Sequence, residues 1–237
     1  MIYKIVLLVY ALNGILKEYR KGIGMKYKAI FFDLDGTLTN PELGITNCIR
    51  YAADYYGVKT ERANLVKYIG PPLLDSFIEL LGCDEATAHE AVAKYRERFS
   101  PIGLYENEIY PGVVETLEKL KEMGYVLCTA SSKPENFVDI ILEHFDIKKY
   151  FDFVGGATMD GTISKKEDVI KYVLGQTGFE PAEVLMVGDR MFDLEGAAEF
   201  GMDAVGVLYG FGSREELSSY KNIALLENIG ELINVLK

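Results

Sequence analysis

With 237 residues, 49% of them hydrophobic, the chain is long enough to bury a substantial core in one large domain or two unequal ones. Its net charge of −11 excludes a nucleic-acid partner, because no basic face is left to meet a phosphate backbone. Cys48, Cys83 and Cys128 form no metal-binding pattern, so we expect reduced, buried thiols in a cytoplasmic protein.

The first two dozen residues are unlike the rest of the chain, since they are apolar throughout from Ile5 to Leu12. This run is shorter than the roughly 18 residues of a membrane-spanning helix, and no small-residue cleavage site of a signal peptide follows it. We expect residues 1–24 to be a dispensable extension that arises from an early start codon. A short helix that associates with a membrane surface is the alternative.

A buried strand is predicted over residues 29–32, and it ends at Asp33 and Asp35. Ligands of parallel sheets bind beyond the carboxyl ends of the strands, and Gly36 permits a turn that brings both carboxylates to one site. Because the two charges repel, we expect Mg²⁺ or a proton there. An EF-hand loop is excluded because Thr37 stands where Asp or Asn is required. A plain turn is the remaining alternative.

The segment Asp-Leu-Asp-Gly-Thr-Leu, from Asp33 to Leu38, resembles the first motif of the haloacid dehalogenase-like superfamily, in its phosphatase branch. The resemblance implies that Asp33 attacks phosphorus and becomes an aspartyl phosphate. It also implies that Asp35 protonates the leaving oxygen and then activates water. A carboxylate can attack a phosphate only where the negative charge is neutralised, hence the metal. Dehalogenases lack the second aspartate and transport ATPases carry Lys in place of Leu34, so neither branch fits.

Between the first and second motifs, apolar residues recur at helical intervals. We predict four helices, over Ile45–Tyr56, Arg62–Ile69, Leu73–Leu81 and Glu85–Phe99. An all-helical insertion here resembles the family's cap domain, which chooses the substrate. The candidate substrate contacts in the cap are one loop glycine and three cations, namely Gly70, Arg50, Lys67 and Arg96. For each cation, an ordinary solvated side chain is the alternative.

A second apolar strand, from Tyr125 to Ala130, runs into Ser-Ser-Lys-Pro. This segment resembles the family's second motif, in which a hydroxyl bonds to the phosphoryl oxygen. Ser131 is our candidate for that hydroxyl and Ser132 is a further substrate contact, while Thr129 is the alternative inside the strand. A helix N-cap is the non-catalytic interpretation of the serine pair.

Two later segments complete the resemblance. Lys166, before a predicted helix, fits the family's lysine, which neutralises the phosphoryl and nucleophile charges. Lys165 is the alternative candidate for this role. The non-catalytic interpretation is that both lysines are solvated surface residues. Beyond a third strand, Asp189 and Asp193 resemble the Gly-Asp motif and its second aspartate. The resemblance implies metal ligation by Asp33, Asp35 and Asp189, with Asp193 holding the ligand set one helical turn later. Complementing the helix dipole is the other interpretation of these last two aspartates.

Outside the cap, alternating strands and helices predict an α/β fold with a doubly wound, Rossmann-like parallel sheet. We assign residues 25–40 and 106–237 to this core and residues 41–105 to the inserted helical cap. His89 and His144 are both interpreted as surface residues on helices.

The resemblance implies a Mg²⁺-dependent phosphatase that acts on a small phosphorylated metabolite. Within this family, the sequence resembles phosphoglycolate phosphatase-like and 5′-nucleotidase-like enzymes. We expect a monomer or homodimer without a membrane span. One alternative is a β-phosphoglucomutase-like sugar phosphomutase, and another is a regulatory protein that binds phosphate through a vestigial site.

Overall fold

The computed structural model describes residues 25–237, so the predicted N-terminal extension lies outside the described residues. The strands are β1 (Ala29–Phe32), β2 (Thr39–Asn40), β3 (Glu108–Ile109), β4 (Val126–Thr129), β5 (Ser131–Pro134), β6 (Gly156–Ala157), β7 (Val184–Gly188), β8 (Asp203–Val207) and β9 (Ala224–Leu226). The α-helices are α1 (Glu42–Tyr55), α2 (Leu73–Leu81), α3 (Glu85–Arg98), α4 (Val113–Glu122), α5 (Glu135–His144), α6 (Lys166–Thr177), α7 (Met191–Glu199), α8 (Arg214–Ser218) and α9 (Leu232–Val235).

A five-stranded sheet with the order β4-β1-β7-β8-β9 forms the centre of the molecule, and every neighbouring pair in it is parallel. Side chains alternate between its faces, so Ile30 and Phe32 pack in one apolar cluster while Ala29 and Phe31 pack in another. All four residues of β1 are fully buried. Burial on both faces is the physical reason for the uninterrupted apolar run, and the predicted doubly wound fold is confirmed.

Helices cover both faces of the sheet. Buried residues of α4 and α5 belong to the same cluster as Ile30, whereas those of α6 and α7 belong to the cluster of Phe31. Each strand in such a sheet runs in the same direction, so the loops at the carboxyl ends of β1, β4 and β7 meet along one edge.

The helical insertion leaves and rejoins the core through a short antiparallel ribbon, in which β2 pairs with β3. The helices α1, α2 and α3 all lie within this insertion. The first begins at Glu42, three residues before the predicted start, because the Glu42 N–H donates to Asn40 Oδ1 at 3.1 Å. The second predicted helix is a 3₁₀ segment, Arg62–Tyr68, whose buried residues Leu65 and Tyr68 are spaced by one 3₁₀ turn.

Aromatic contacts continue from the cap into the core. Tyr95 of α3 stacks on Phe99 with ring centroids 5.0 Å apart, and Phe99 meets Phe137 of α5 edge to face at 5.4 Å. Phe77 of α2 joins the same group, with its centroid 6.3 Å from that of Tyr95. The cap is therefore packed on the core by rings as well as joined to it by the ribbon.

The three thiols are free, and Cys48 and Cys128 are buried as expected. The prediction was wrong for Cys83, which is half-buried because it follows the end of α2 in the loop before α3. Across residues 25–237, no helix combines the length and the apolar character that crossing a membrane requires.

Candidate active site

Side chains from four separate segments converge at the carboxyl edge of the sheet. Asp33 follows β1, Ser131 opens β5 just beyond β4, Lys166 begins α6, and Asp189 follows β7. All four are buried, with relative exposures of 7%, 2%, 4% and 0% respectively. Buried ionisable groups require partners, so their contacts show what the site is built to hold.

Lys166 is the cation at the centre of this group. Its Nζ lies 2.9 Å from Asp33 Oδ1 and 2.8 Å from Asp193 Oδ1, and it donates to the main-chain oxygen of Ala130 at 2.9 Å. Burial alone would lower the pKa of Lys166, but the attraction of Asp193 and Asp33 outweighs it and raises that pKa. The ammonium therefore stays charged and holds the Asp33 carboxylate in place.

Asp193 has both carboxylate oxygens engaged. Its Oδ1 faces Lys166, and its Oδ2 accepts a hydrogen bond from the Arg190 N–H at 3.0 Å, which caps α7. Burial raises the pKa of Asp193 to about 6, against the opposing effect of Lys166. Asp193 therefore contacts both Lys166 and the start of α7, and its predicted role of holding the metal-ligand set stays a prediction.

Asp189 is a fully buried carboxylate without a cationic partner in the described part of the chain. Its Oδ2 accepts the Phe211 N–H at 2.7 Å, and Thr37 Oγ1 donates to its Oδ1 at 3.4 Å. Burial, reinforced by the charges of Asp193 and Asp33, raises the pKa of Asp189 well above its ordinary value. Among the described residues, no cationic side chain therefore pairs with the Asp189 carboxylate, which leaves a deficit of positive charge at this position.

A divalent cation would fit this deficit. Asp33, Asp189 and Asp193 each offer a carboxylate oxygen, and these oxygens lie within 4.8 Å of one another. Hard cations such as Mg²⁺ bind carboxylate oxygens, and their charge would lower the cost of keeping these groups ionised. The three aspartates suit such an ion by donor type, burial and spacing.

Two glycines allow Asp189 to lie so close to the turn after β1. A Cβ atom on Gly36, whose φ is +89°, would lie 2.1 Å from Asp189 Oδ2. A Cβ on Gly210 would lie 2.4 Å from the Cβ of Asp189. The glycine after the aspartate pair is therefore required for space as well as for its turn conformation.

Asp35 lies apart from the three-carboxylate group, and its metal role stays a prediction. Its Oδ2 pairs with Lys133 Nζ, while its Oδ1 is buried and has no hydrogen-bond partner among residues 25–237. Burial raises the pKa of Asp35, although Lys133 opposes the effect. A carboxyl with a raised pKa beside a cavity can donate and accept a proton.

Lys133 is the site residue that the sequence analysis missed. It is 8% exposed, and its Nζ sits 5.1 Å from the ring centroid of Phe99 as well as against Asp35. Ser131 and Lys133 point to the same side because residues alternate along β5, where burial alternates too. Strand periodicity continued through the Ser-Ser-Lys segment would have found it.

The structure separates the paired alternatives of the second and third motifs. Thr129 Oγ1 is committed to the main chain of Gly155, through one donated and one accepted hydrogen bond of 2.9 Å each, whereas Ser131 lines the cavity. The N-cap interpretation of the serine pair fails, because β5 extends to Pro134 and α5 has no side-chain cap. Lys165 is exposed at the mouth of the cavity, while Lys166 is buried among the aspartates.

A cavity of about 570 Å³ lies between the carboxyl edge of the sheet and the cap. Its polar floor includes Asp33, Asp35, Ser131, Ser132 and Lys133. Apolar side chains from cap and core form much of its wall, including Ile45, Tyr68, Leu73, Val92, Phe137 and Met159. A floor that suits a phosphate and a wall that suits an organic group are what a phosphomonoester requires.

Only some of the predicted cap contacts reach this cavity. Gly70 and Arg96 line it, and Arg96 also donates to the main-chain oxygen of Met159 in the core at 3.2 Å. Arg50 instead projects from α1 and donates to Asn47 Oδ1, and Lys67 pairs with Glu79 on the surface.

His89 is exposed on α3, as predicted, but it also lines the cavity. Helical periodicity identifies a polar face without showing which polar face turns towards the core.

Comparison with known proteins identifies the same family as the motifs. A model of haloacid dehalogenase-like hydrolases matches residues 30–207. A 5′-nucleotidase of Pseudomonas aeruginosa is 42% identical over 214 residues, which cover 90% of this chain and 97% of that protein. The pyrophosphatase PpaX of Bacillus cereus is 30% identical over 215 residues, with coverages of 90% and 97%. The crystal structure of a predicted phosphatase from Clostridium acetobutylicum has a TM-score of 0.86 at 39% identity, covering 88% of this chain and 97% of that one.

Asp189→Asn tests the charge deficit directly. Without divalent metal, we expect this variant to be more stable than the wild type at neutral pH by about 1–3 kcal/mol. The metal-free fold must either bury the charge of Asp189 or protonate the carboxyl, and the amide avoids both costs while the Phe211 N–H keeps an acceptor. Chemical unfolding with and without Mg²⁺ measures the effect, and Mg²⁺ should stabilise the wild type but not Asp189→Asn. Asp54→Asn, at a surface ion pair with Lys59, is the matched control and should change little. A wild type indifferent to Mg²⁺ would contradict the proposed site.

The raised pKa of Asp193 predicts a pH dependence for the metal-free protein. Its value of about 6 exceeds the roughly 3.9 of an unfolded chain, so between these values the folded state binds more protons. The stabilisation is complete below about pH 4 and is lost as the pH rises through about 6, by at most about 1.4 kcal/mol per pH unit for this carboxyl. When unfolding is measured in EDTA across this pH range, the free energy of unfolding should depend less steeply on pH for Asp193→Asn than for the wild type. Equal slopes would show that Asp193 titrates normally.

Proposed function

Because the chain belongs to the haloacid dehalogenase-like hydrolase family, we propose that it is a Mg²⁺-dependent phosphatase that hydrolyses a small phosphomonoester through an aspartyl-phosphate intermediate. The observation that carries this proposal is the buried Asp33 carboxylate, which lies 2.9 Å from the Lys166 ammonium. Asp33 lies at the floor of a cavity whose wall is largely apolar. Lys166 offsets the negative charge that otherwise keeps a carboxylate and a phosphate apart.

In the first half-reaction, an Asp33 oxygen forms a bond to phosphorus while the bond from phosphorus to the leaving oxygen breaks. Asp35 gives its proton to that oxygen, so the alcohol leaves neutral. Burial raises the pKa of Asp35, which favours the protonated form that this step needs. Ser131 offers its hydroxyl to a phosphoryl oxygen from the same floor.

In the second half-reaction, Asp35 accepts a proton from water as the water oxygen attacks phosphorus. The bond from phosphorus to Asp33 breaks, which releases inorganic phosphate and restores the carboxylate. When bound by the aspartates, Mg²⁺ supplies charge neutralisation for the phosphoryl group. Lys133 holds Asp35 beside the cavity throughout, since its Nζ pairs with Asp35 Oδ2.

The size of the cavity favours one substrate class over the other. About 570 Å³ lies within the range of pockets that bury drug-sized ligands, whereas a phosphorylated glycolate is only a few atoms across. The aromatic rings of Tyr68 and Phe137 and the donors Arg96 and His89 are available to a larger leaving group. We therefore propose a nucleoside monophosphate as the substrate class, in line with the activity named for the Pseudomonas aeruginosa relative.

A kinetic panel tests the substrate class. With Mg²⁺, we expect nucleoside monophosphates to give a higher kcat/KM than phosphoglycolate or hexose phosphates, because a nucleoside leaving group fills the cavity and contacts its apolar wall. Release of inorganic phosphate is the measurement, and EDTA should abolish it. Isomerised sugar phosphate would instead indicate the mutase alternative, and absence of turnover across the panel would favour a vestigial, regulatory site.

Substitution of the two aspartates should separate their roles. Asp33→Asn is expected to abolish turnover, because the amide oxygen is too weak a nucleophile towards phosphorus. Asp35→Asn should slow both half-reactions by about 10²–10⁴-fold, the usual range for a lost general acid–base group. Rapid-mixing assays measure the two steps, and circular dichroism checks the fold. Phosphate release by Asp33→Asn at the wild-type rate would rule out the nucleophile assignment.

A further inference from the structure

Arg190 links the catalytic edge of the core to the cap. It follows Asp189 directly, yet the hydrogen bonds of its side chain go to residues outside the aspartate group. Its Nη1 donates to the main-chain oxygen of Ile69 in the cap, and its Nε donates to Glu216 Oε1 at 2.9 Å. Neither contact has a part in the proposed phosphoryl transfer, so we consider a different role for the Arg190 side chain.

Glu216 of α8 keeps the guanidinium in place. The same Oε1 atom accepts the Met191 N–H at 2.8 Å, so Glu216 is itself anchored to the start of α7. The side chains of Arg190 and Glu216 are only 14% and 23% exposed. A long side chain held at two points has already lost much of its rotamer freedom, and its contact with the cap costs little further entropy.

On the cap side, the bonded carbonyl belongs to the loop that walls the cavity. Ile69 is buried, and the next residue, Gly70, has φ of +106°. A Cβ on Gly70 would lie 3.1 Å from Arg190 Nη1, so the absence of a side chain there makes the close approach possible. Gly70, Pro71 and Pro72 all line the cavity. The position of this loop therefore depends on the guanidinium.

We propose that Arg190 is a positioning residue that holds the loop of residues 69–72 over the cavity and thereby controls recognition of the leaving group. The proposal rests on the proposed phosphatase function, since it requires a leaving group that extends to the cap. The main-chain N–H of Arg190 bonds to Asp193 whatever its side chain, so truncation of the side chain leaves this cap of α7 available.

The test compares a large and a small substrate in Arg190→Gln. With adenosine monophosphate, we expect kcat/KM to fall about tenfold or more, mainly through KM, because a charge-assisted hydrogen bond to the cap is lost. With acetyl phosphate, whose leaving group is too small to reach the cap, kcat/KM should stay within about threefold of the wild type. Amide hydrogen exchange should be faster in the segment of residues 69–81.

Two further variants change the neighbours of the Arg190 side chain, Glu216 in the core and Gly70 in the cap. In Glu216→Gln, the amide oxygen can still accept the Met191 N–H, but Arg190 loses its charged partner, so a smaller loss with adenosine monophosphate is expected. Gly70→Ala should also reduce activity on that substrate, since a φ of +106° strains alanine and the added methyl group would lie 3.1 Å from Arg190 Nη1. Arg214→Gln removes an exposed ion pair with Glu227 and serves as the matched control without effect.

Equal losses on both substrates would overturn the proposal, because Arg190 would then act through the aspartates or the fold. Wild-type kinetics and exchange in Arg190→Gln would overturn it as well. If the wild-type protein hydrolysed neither substrate, the phosphatase function would fail. The exchange measurement would then still decide on its own whether Arg190 holds the loop, and unchanged exchange would refute the proposal.

Discussion

The ion group around Lys166 is the constraint on which the rest of the structure depends. A single buried ammonium contacts both Asp33 and Asp193, while Asp189 lies beside them without a cation of its own within the described residues. Burying charges in this way costs free energy that their mutual attraction only partly offsets. Under the proposed function, a further cation and a phosphate would complete the arrangement, and the lower stability of the site in their absence would be the cost of binding them.

The sheet provides the rigidity that such an arrangement requires. Because β1 is buried on both faces and paired on both edges, Asp33 extends from one of the most constrained strands of the fold. Its neighbour β7 delivers Asp189 to the same edge. Short distances between like charges are therefore enforced by apolar packing far from the charges themselves.

Chemistry and selection occupy different parts of the chain. The core supplies Asp33, Asp35, Lys133 and Lys166, the groups to which we assign the proposed chemistry, whereas the insertion between β2 and β3 supplies much of the apolar wall of the cavity. Several contacts join the two parts, including the rings of Tyr95, Phe99 and Phe137 and the hydrogen bond from Arg190 to the cap.

The fold class, the order of the motifs and most of the convergent groups could be predicted from the sequence, with Lys133 as an exception. Apolar runs that end in Asp33 and Asp189 are enough to predict buried parallel strands with ligands at their carboxyl ends, since that pattern reflects burial on two faces. The helices of the insertion were predicted from periodicity in the same way. Their limits shifted where a local contact intervened, as at Asn40, and one became a 3₁₀ segment.

Which side chains face one another became visible with the packing of the folded chain. This packing turned Arg96 and His89 towards the cavity and left Arg50 and Lys67 at the surface, because periodicity defines a helix face but not its neighbour. It also joined Lys133 to Asp35, a pair separated by 98 positions, and Arg190 to a carbonyl of the cap. Contacts between distant segments depend on how the layers pack, and no local pattern along the chain records that packing.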